Sequence, residues 1–348
     1  MSHEAKSDII LLNHTSLYTG VGRYASDIIG SITQGIKNIN LLFNLDQSLQ
    51  GLPQGETVTG TKSIGINVAL RKLIYRNIKR RLEKAKKEGS HLHYLESSMP
   101  RITESKQNEL VTFHDIFPIT DEDKTFKNIL YRKFTNEFLQ YDNAIAISNF
   151  TKESVLNFGY KGNIKVIYNM VNEEFSNIEN KEGLRSRYGI PNDKKVLISV
   201  STSIPRKNLS LLTRIMTELN EEFYLIRVGP PIGFGKTFNG IDTRTLAELY
   251  NCADTFILTS TKEGFNYPVA EAMSCGLPVV VSDIPIMREV TGEAGLFSDL
   301  DDPNSFIENV HRSIDANYYY SKKSLERSRI FSRVRFKKEM TDFYNSLF

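Results

Sequence analysis

A chain of 348 residues, 40% hydrophobic and 24% charged, is long enough for about two globular domains, each burying a core of its own. A formal net charge of +3 is too mild to mark the whole surface for nucleic acid. The two cysteines, Cys252 and Cys275, form no Cys-x-x-Cys pair, which argues against a disulfide framework or zinc cluster and fits a reducing compartment.

The start is polar, so no secretory leader is expected, and no apolar run approaches the ~20 residues that span a bilayer. Residues 8–12 read as a short apolar strand. The run Tyr18-Thr19-Gly20-Val21-Gly22-Arg23-Tyr24 follows, and then Tyr24, Ala25, Ile28, Ile29 and Ile32 recur at helical spacing. Gly20 and Gly22 would let backbone approach a phosphate or sugar closely, although the third glycine of the dinucleotide fingerprint is absent and a plain tight turn uses the same residues. Residues 41–45 read as a second strand and 51–65 as an exposed loop.

Residues 68–87 form a basic amphipathic helix. Leu70, Leu73, Ile74, Ile78, Leu82 and Ala85 mark its apolar face, and nine Lys and Arg residues face Glu83 as the lone acid. Such a helix either lies on an anionic membrane or packs its apolar side on the core with a solvated basic face. Nucleic acid is disfavoured, since Tyr75 is the only aromatic residue in the span.

Strands are expected at 109–113, ending in His114-Asp115, at 143–147, ending in Ser148-Asn149, and at 164–168, ending in Asn169. Helices are expected at 129–139 and 151–158. The polar stretch 172–193 is the domain boundary, giving domains at 1–172 and 173–330 and a C-terminal helix at 331–348 that packs back toward the first. In the second series, strand 196–200 exits into Ser201-Thr202-Ser203-Ile204-Pro205-Arg206-Lys207. Strand 223–228 exits into Gly229-Pro230-Pro231, and strand 255–259 exits toward Lys262 and Glu263. The segment Gly229 to Thr237 nearly matches a phosphate-binding P-loop. Its first glycine is one residue too distant, however, and Asn239-Gly240 follows where a helix should open. Pro268 at a helix start and Gly276 with Pro278 at its end bound a helix at 268–275, followed by a buried strand at 279–281.

Nearly every strand is a continuous apolar run, as in a parallel sheet covered on both faces. The fold class is therefore α/β, with two doubly wound, Rossmann-like domains facing a cleft. Ligands of such sheets bind beyond the strands' carboxyl ends, where Gly20, Gly22, His114, Ser148, Arg206, Lys207 and Glu263 all fall. His114 there is either a site residue or a satisfied structural histidine. Arg206 offers a planar fork and Lys207 a compact charge, a pair suited to a diphosphate. Glu263 and Glu271 flank a helix N-terminus, itself an anion-favouring position.

These motifs resemble the retaining nucleotide-sugar glycosyltransferases of GT-B architecture, glycosyltransferase family 4 type. The likeness rests on residues 249–254, on 260–271 with its paired glutamates, on Gly276-Leu277-Pro278-Val279-Val280, on Glu289, on Pro205-Arg206-Lys207-Asn208, on residues 20–24, on His114-Asp115 and on Ser148. It implies transfer of a hexose, of mannose or glucose type, from a nucleoside diphosphate sugar to a hydroxyl of a glycan or lipid-linked acceptor. Same-fold alternatives are an epimerase or hydrolase, and a third is a non-catalytic nucleotide-sugar-binding protein. By the resemblance, Glu263 binds the donor sugar with the backbone N–H groups of Gly264, Phe265 and Asn266. Glu271 binds the ribose, Arg206 and Lys207 neutralise the diphosphate, Gly20 and Gly22 line the donor, and His114 lies near sugar or acceptor. No cofactor or metal is implied. A cytoplasmic protein is expected, peripheral on the membrane's inner face if helix 68–87 binds there. The chain departs from the family pattern at Ser201, at Asn169-Met170 and at Asn266, each where glycine is usual.

Overall fold

The computed structural model describes residues 8–13, 15, 19–32, 36–42, 56–59, 68–120 and 126–347. Tyr18 and residues 43–45 lie outside them, as do residues 51–55 and 60–65. The chain divides into two compact units, Met1–Asn169 with Phe336–Phe348, and Met170–Arg335.

The first unit is built on a seven-stranded sheet of order β3-β2-β1-β4-β5-β6-β7. Its strands are β1 (Ile9–Asn13), β2 (Ile36–Leu42), β3 (Glu56–Thr59), β4 (His91–Tyr94), β5 (Glu109–Phe113), β6 (Asn143–Ala146) and β7 (Asn163–Val166). Every pairing is parallel. Strands β1 and β5 are buried along their whole length, because runs such as Ile-Ile-Leu-Leu present apolar side chains to both faces. Helices α1 (Gly20–Ser31), α2 (Val68–Lys87), α3 (Phe117–Thr120), α4 (Phe126–Phe138) and α5 (Asn149–Asn157) complete the crossovers. Ile78 and Leu82 of α2, Phe138 and Val155 pack against Leu12, Leu92, Val111 and Ala144 in one core. The loop expected at 51–65 is broken by edge strand β3. Thr57, Val58 and Thr59 are β-formers, and pairing with β2 supplies the ladder that a local reading of the Gly- and Thr-rich stretch could not anticipate.

Helix α2 buries Ile78 and Leu82 and exposes Arg76, Arg80, Arg81, Lys84 and Lys87. Lys86, expected on the charged face, is instead buried. Its ammonium lies 2.6 Å from Glu109 Oε1 and donates to Ser105 O at 2.6 Å. Tyr141 Oη and Thr103 Oγ1 also donate to Glu109, so the carboxylate at the start of β5 is fully partnered.

The second unit repeats the plan with a six-stranded sheet of order β10-β9-β8-β11-β12-β13. Its strands are β8 (Lys195–Val200), β9 (Phe223–Val228), β10 (Lys236–Phe238), β11 (Thr255–Leu258), β12 (Val279–Ser282) and β13 (Gly295–Ser298), again all parallel. Helices α6 (Lys181–Tyr188), α7 (Leu209–Leu219), α8 (Thr243–Cys252), α9 (Tyr267–Ser274), α10 (Pro285–Thr291), α11 (Pro303–Asp315) and α12 (Asn317–Ser328) surround it. Leu212, Ile215 and Met216 of α7 bury against Leu197, Leu225 and Ile257. Helix α13 (Arg333–Asn345) ends the chain, and from Phe336 onward it belongs to the first unit.

The P-loop lookalike is no P-loop. Lys236 begins strand β10, parallel to β9, and its ammonium donates to Tyr188 O at 2.6 Å. A P-loop needs its lysine at the start of a helix, where backbone N–H groups converge on phosphate.

Candidate functional site

In the second sheet, the crossovers on either side of the β8–β11 pair leave in opposite directions. Such a reversal leaves a crevice at the carboxyl ends of the two central strands. The loop after β8 carries Arg206 and Lys207 on a single 3-10 turn, Pro205–Lys207. Asn208 then takes a left-handed conformation (φ 50°) and starts α7. The loop after β11 carries Glu263. Backbone and side-chain bonds join the two loops: Thr261 N to Arg206 O (2.8 Å), and Thr259 Oγ1 to Lys207 O and Asn208 O (3.1 Å each). Arg206 Nη1 returns a bond to Lys262 O at 2.9 Å.

The result is a compact charge cluster. Glu263, whose side chain is 4% exposed, accepts from Arg206 Nη1 at 2.7 Å and from Lys207 Nζ at 2.5 Å. Burial opposes ionisation of Glu263, but Lys207 and Arg206 outweigh it, with help from the Ser260 hydroxyl, and hold its carboxyl below the usual range. Burial also pushes the Lys207 ammonium below the ordinary lysine value, against the pull of Glu263. With one acid facing two cations, the cluster carries net positive charge, and an arriving anion meets a guanidinium fork and an ammonium side by side.

Helix α9 begins next to this cluster. The sequence placed its start at Pro268, but the helix opens at Tyr267 with Asn266 as its N-cap. Asn266 has φ 76° and ψ 82°, a conformation that glycine adopts freely and asparagine tolerates better than other side chains do. Its Oδ1 accepts from Val269 N at 3.1 Å. Phe265 is buried with its ring edge-on to Phe331 (5.2 Å between centroids) and Tyr267 (5.6 Å), so its side chain anchors the loop while its backbone remains the polar part. Glu271 is fully buried on α9 and accepts from Tyr250 Oη at 3.0 Å. Arg206, Lys207 and Glu263 thus meet directly, while Gly264, Phe265, Asn266 and Glu271 follow Glu263 along the same loop and helix.

Arg227 was missed by the sequence reading. It sits in β9, fully buried, and no carboxylate bond is found for it among the described residues. Its guanidinium donates to Ser199 O (3.0 Å), Val228 O (2.8 Å), Pro230 O (3.2 Å), Ser201 O (2.6 Å) and Ser201 Oγ (3.0 Å). It ties the exits of β8 and β9 together beneath the loop that bears Arg206 and Lys207. Burial pulls its pKa down to about 10. Gly229 completes this join: a Cβ there would lie 2.0 Å from Ser201 O, and its φ is +124°. The available signal was an arginine inside the otherwise apolar run Phe-Tyr-Leu-Ile-Arg-Val.

The remaining candidates lie in the first unit. Gly20 and Gly22 form the first turn of α1 rather than a preceding turn, and neither has positive φ. Gly22 N donates to the capping Thr19 Oγ1 at 3.0 Å. What these glycines provide is a helix N-terminus with little side-chain bulk. His114 follows β5, and its Nε2–H donates to Leu95 O at 2.9 Å, which leaves Nδ1 as the acceptor nitrogen. Burial pushes the His114 pKa down, so the ring is neutral at physiological pH. The Tyr24 ring supports it edge-on at 5.0 Å. Tyr24 in turn is bonded to Thr112 (3.1 Å), Thr112 to His93 (2.7 Å), and His93 to Tyr344 of α13 (2.7 Å). Ser148 caps α5, accepting from Thr151 N at 3.0 Å.

Comparison with known proteins agrees with this architecture. Residues 194–316 match the family model described as Glycosyl transferases group 1. The chain is 37% identical over 90 residues to the O-antigen chain mannosyltransferase B of Escherichia coli, covering 26% of this chain and 24% of that protein. It is 25% identical over 232 residues to the O-antigen chain mannosyltransferase RfbU of Salmonella typhimurium, covering 60% and 63%. The matches therefore span from about a quarter to under two thirds of these curated relatives. Among solved structures, Anabaena Alr3699/HepE in complex with UDP and glucose superimposes with a TM-score of 0.77 at 16% identity, covering 98% of this chain and 100% of that one. Sucrose-phosphate synthase from Thermosynechococcus elongatus gives 0.75 at 16%, covering 98% and 99%. The fold is GT-B, with two Rossmann-like units.

Proposed function

We propose that this chain, a GT-B protein whose second unit matches the group 1 glycosyltransferase family, transfers a hexose from a nucleoside diphosphate sugar to a hydroxyl of a glycan or lipid-linked acceptor, with retention of anomeric configuration. The observation that carries the reading is the convergence of Arg206, Lys207 and Glu263 at the point where the strand order reverses, beside the N-terminus of α9. Departure of a diphosphate concentrates negative charge, and fixed cations with helix N–H groups stabilise it without reorganising. In this reading Glu263 exchanges its two cations for the donor's hydroxyls as the phosphates take Arg206 and Lys207. Glu271, behind it on α9, suits the ribose. The names of the curated relatives favour mannose as the sugar and an O-antigen-like glycan as the acceptor.

In this reading the chain's own cations do the work at the diphosphate, and no resident metal is required. The basic face of α2 would hold the protein at an anionic membrane, where a lipid-linked acceptor resides. No helix among the described residues is long and apolar enough to cross a membrane.

The deciding experiment measures nucleoside diphosphate release from UDP-, GDP- and ADP-sugars, with and without acceptor lipid or glycan, before and after EDTA treatment. Acceptor-dependent release from one donor, unaffected by EDTA, is the expected result. Binding without turnover on every donor would sink the enzyme reading, and release independent of acceptor would favour a hydrolase.

A further inference from the structure

We infer that the side-chain amide of Asn266 is a donor-recognition group, whose N–H bonds to an oxygen of the bound nucleotide sugar. The inference rests on the function proposed above.

Three observations converge on this residue. Asn266 is 7% exposed, yet its Nδ2 is buried with no hydrogen-bond partner among the described residues. A buried amide N–H left unpaired costs free energy that a folded protein seldom tolerates without a reason. The orientation of the amide is fixed by Oδ1, which accepts from Val269 N at 3.1 Å; a flipped amide would set N–H against N–H there. The planar amide then holds Nδ2 at the N-cap of α9, buried and with its two hydrogens unpaired among the described residues. Finally, the residue keeps a strained left-handed backbone (φ 76°), where glycine would sit without strain. Asparagine at this position thus has half its amide satisfied by Val269 N and half left as a donor without a partner among the described residues.

The position identifies the partner's chemistry. Asn266 is three residues after Glu263 and caps the helix whose N-terminus flanks the Arg206–Lys207–Glu263 cluster. The complement of an amide N–H at the positive end of a helix is an oxygen acceptor, either a sugar hydroxyl or a phosphate oxygen of the donor.

Asn266→Gly isolates the group. Glycine accepts the same φ and ψ and is nearly as good an N-cap as asparagine, so the variant should fold with a near-unchanged Tm. Titration calorimetry of wild type and variant with the nucleoside diphosphate sugar that the donor panel selects, and with the matching nucleoside diphosphate alone, reads the effect. The expected result is a loss of affinity of ~5- to 50-fold for the nucleotide sugar. A matching loss for the bare diphosphate assigns the bond to phosphate, and an intact diphosphate affinity assigns it to the sugar; both support the inference. Equal affinity of variant and wild type for both ligands overturns it. Wild type that binds neither ligand overturns the functional reading itself, a separate outcome seen before the variant is measured.

Discussion

Lys207 Nζ and Glu263 Oε1 are 2.5 Å apart, and the lysine is thereby held by the residue expected to compete with its ligand. The two come from loops 56 positions apart in sequence, brought together because β8 and β11 are neighbours in the sheet. In the unliganded protein this pair, with Arg206, neutralises part of the charge that a diphosphate would otherwise meet. In the proposed function, donor binding exchanges partners, with phosphate replacing carboxylate on the cations.

On the proposed function, Glu263→Gln removes both the competitor for the cations and the group that would hold the sugar. Transfer should fall by at least ~100-fold, while affinity for nucleoside diphosphate holds or tightens. Loss of the acid leaves Lys207 buried without its counter-charge, a loss on the order of 3 kcal/mol in stability. Added nucleoside diphosphate should therefore raise the variant's Tm by more than it raises that of wild type. Unimpaired transfer in the variant would remove Glu263 from the site.

Lys207 sets an alkaline limit. Its pKa is pushed below the ordinary lysine value by burial, so the cation is lost at lower pH than from a free side chain. In the proposed function the protonated form binds phosphate, so KM for the donor should rise as pH climbs through that lowered value. Lys207→Arg, which stays charged, should carry the limb to higher pH. A pH profile of donor KM that is identical in the two proteins contradicts this assignment.

Arg227→Met should remove the guanidinium donor from the carbonyls of Ser199, Pro230 and Ser201, while Val228 O keeps the Ser201 N–H. At about 1–3 kcal/mol for each buried group left unmade, a loss of several kcal/mol follows. Arg227→Lys keeps the charge but not the five-donor fork. It should fold with a reduced Tm and a donor KM raised ~10-fold, because the loop bearing Arg206 and Lys207 loses its support. Wild-type stability and KM in the lysine variant would show that the fork is dispensable.

His93 makes the first unit acid-sensitive. It is fully buried, and burial, with repulsion from His114 once that ring is also protonated in acid, lowers its pKa to about 3. The unfolded chain therefore binds a proton at His93 below about pH 6.5, where the folded protein does not. Stability should fall from about pH 6 downward, by as much as ~4 kcal/mol near pH 3 from this residue alone. Glu263, with its lowered pKa, begins to lose its contribution only as pH falls through the ordinary carboxylate value, so the histidine effect comes first. Tyr344→Phe, which unpairs His93 Nδ1, should cost about 1–3 kcal/mol. Urea unfolding at pH 7.5 and 5.5 measures both effects, and a pH-independent midpoint would refute the first.

For α2, replacing Arg76, Arg80 and Arg81 with glutamine should release the protein from vesicles containing anionic lipid without changing its Tm, since all three side chains are exposed. Each cation contributes about 1 kcal/mol near such a surface. If the unaltered protein fails to sediment with anionic vesicles, α2 is only a solvated surface helix.

Much of this protein was legible from local pattern. Continuous apolar runs separated by helical periodicity specify parallel sheets with helices on both faces, and the bounds of α2 follow from its amphipathic repeat. Strand-end positions also pointed to Arg206, Lys207 and Glu263 before any contact was known, because doubly wound sheets use that end. What the sequence could not decide was which charges end up buried and with whom. Lys86 read as solvated like its neighbours until β5 brought Glu109 against it. Arg227 read as an oddity in a strand until the exits of β8 and β9 surrounded it with carbonyls. Lys236 resembled a P-loop lysine until β9 took its segment into the sheet. At Glu263, the stretch from 260 to 271 revealed two acids near a helix start, but only the tertiary structure paired the first of them with two cations. Periodicity is a property of neighbours in the chain, whereas the cost of burying a charge depends on groups supplied from dozens of residues away.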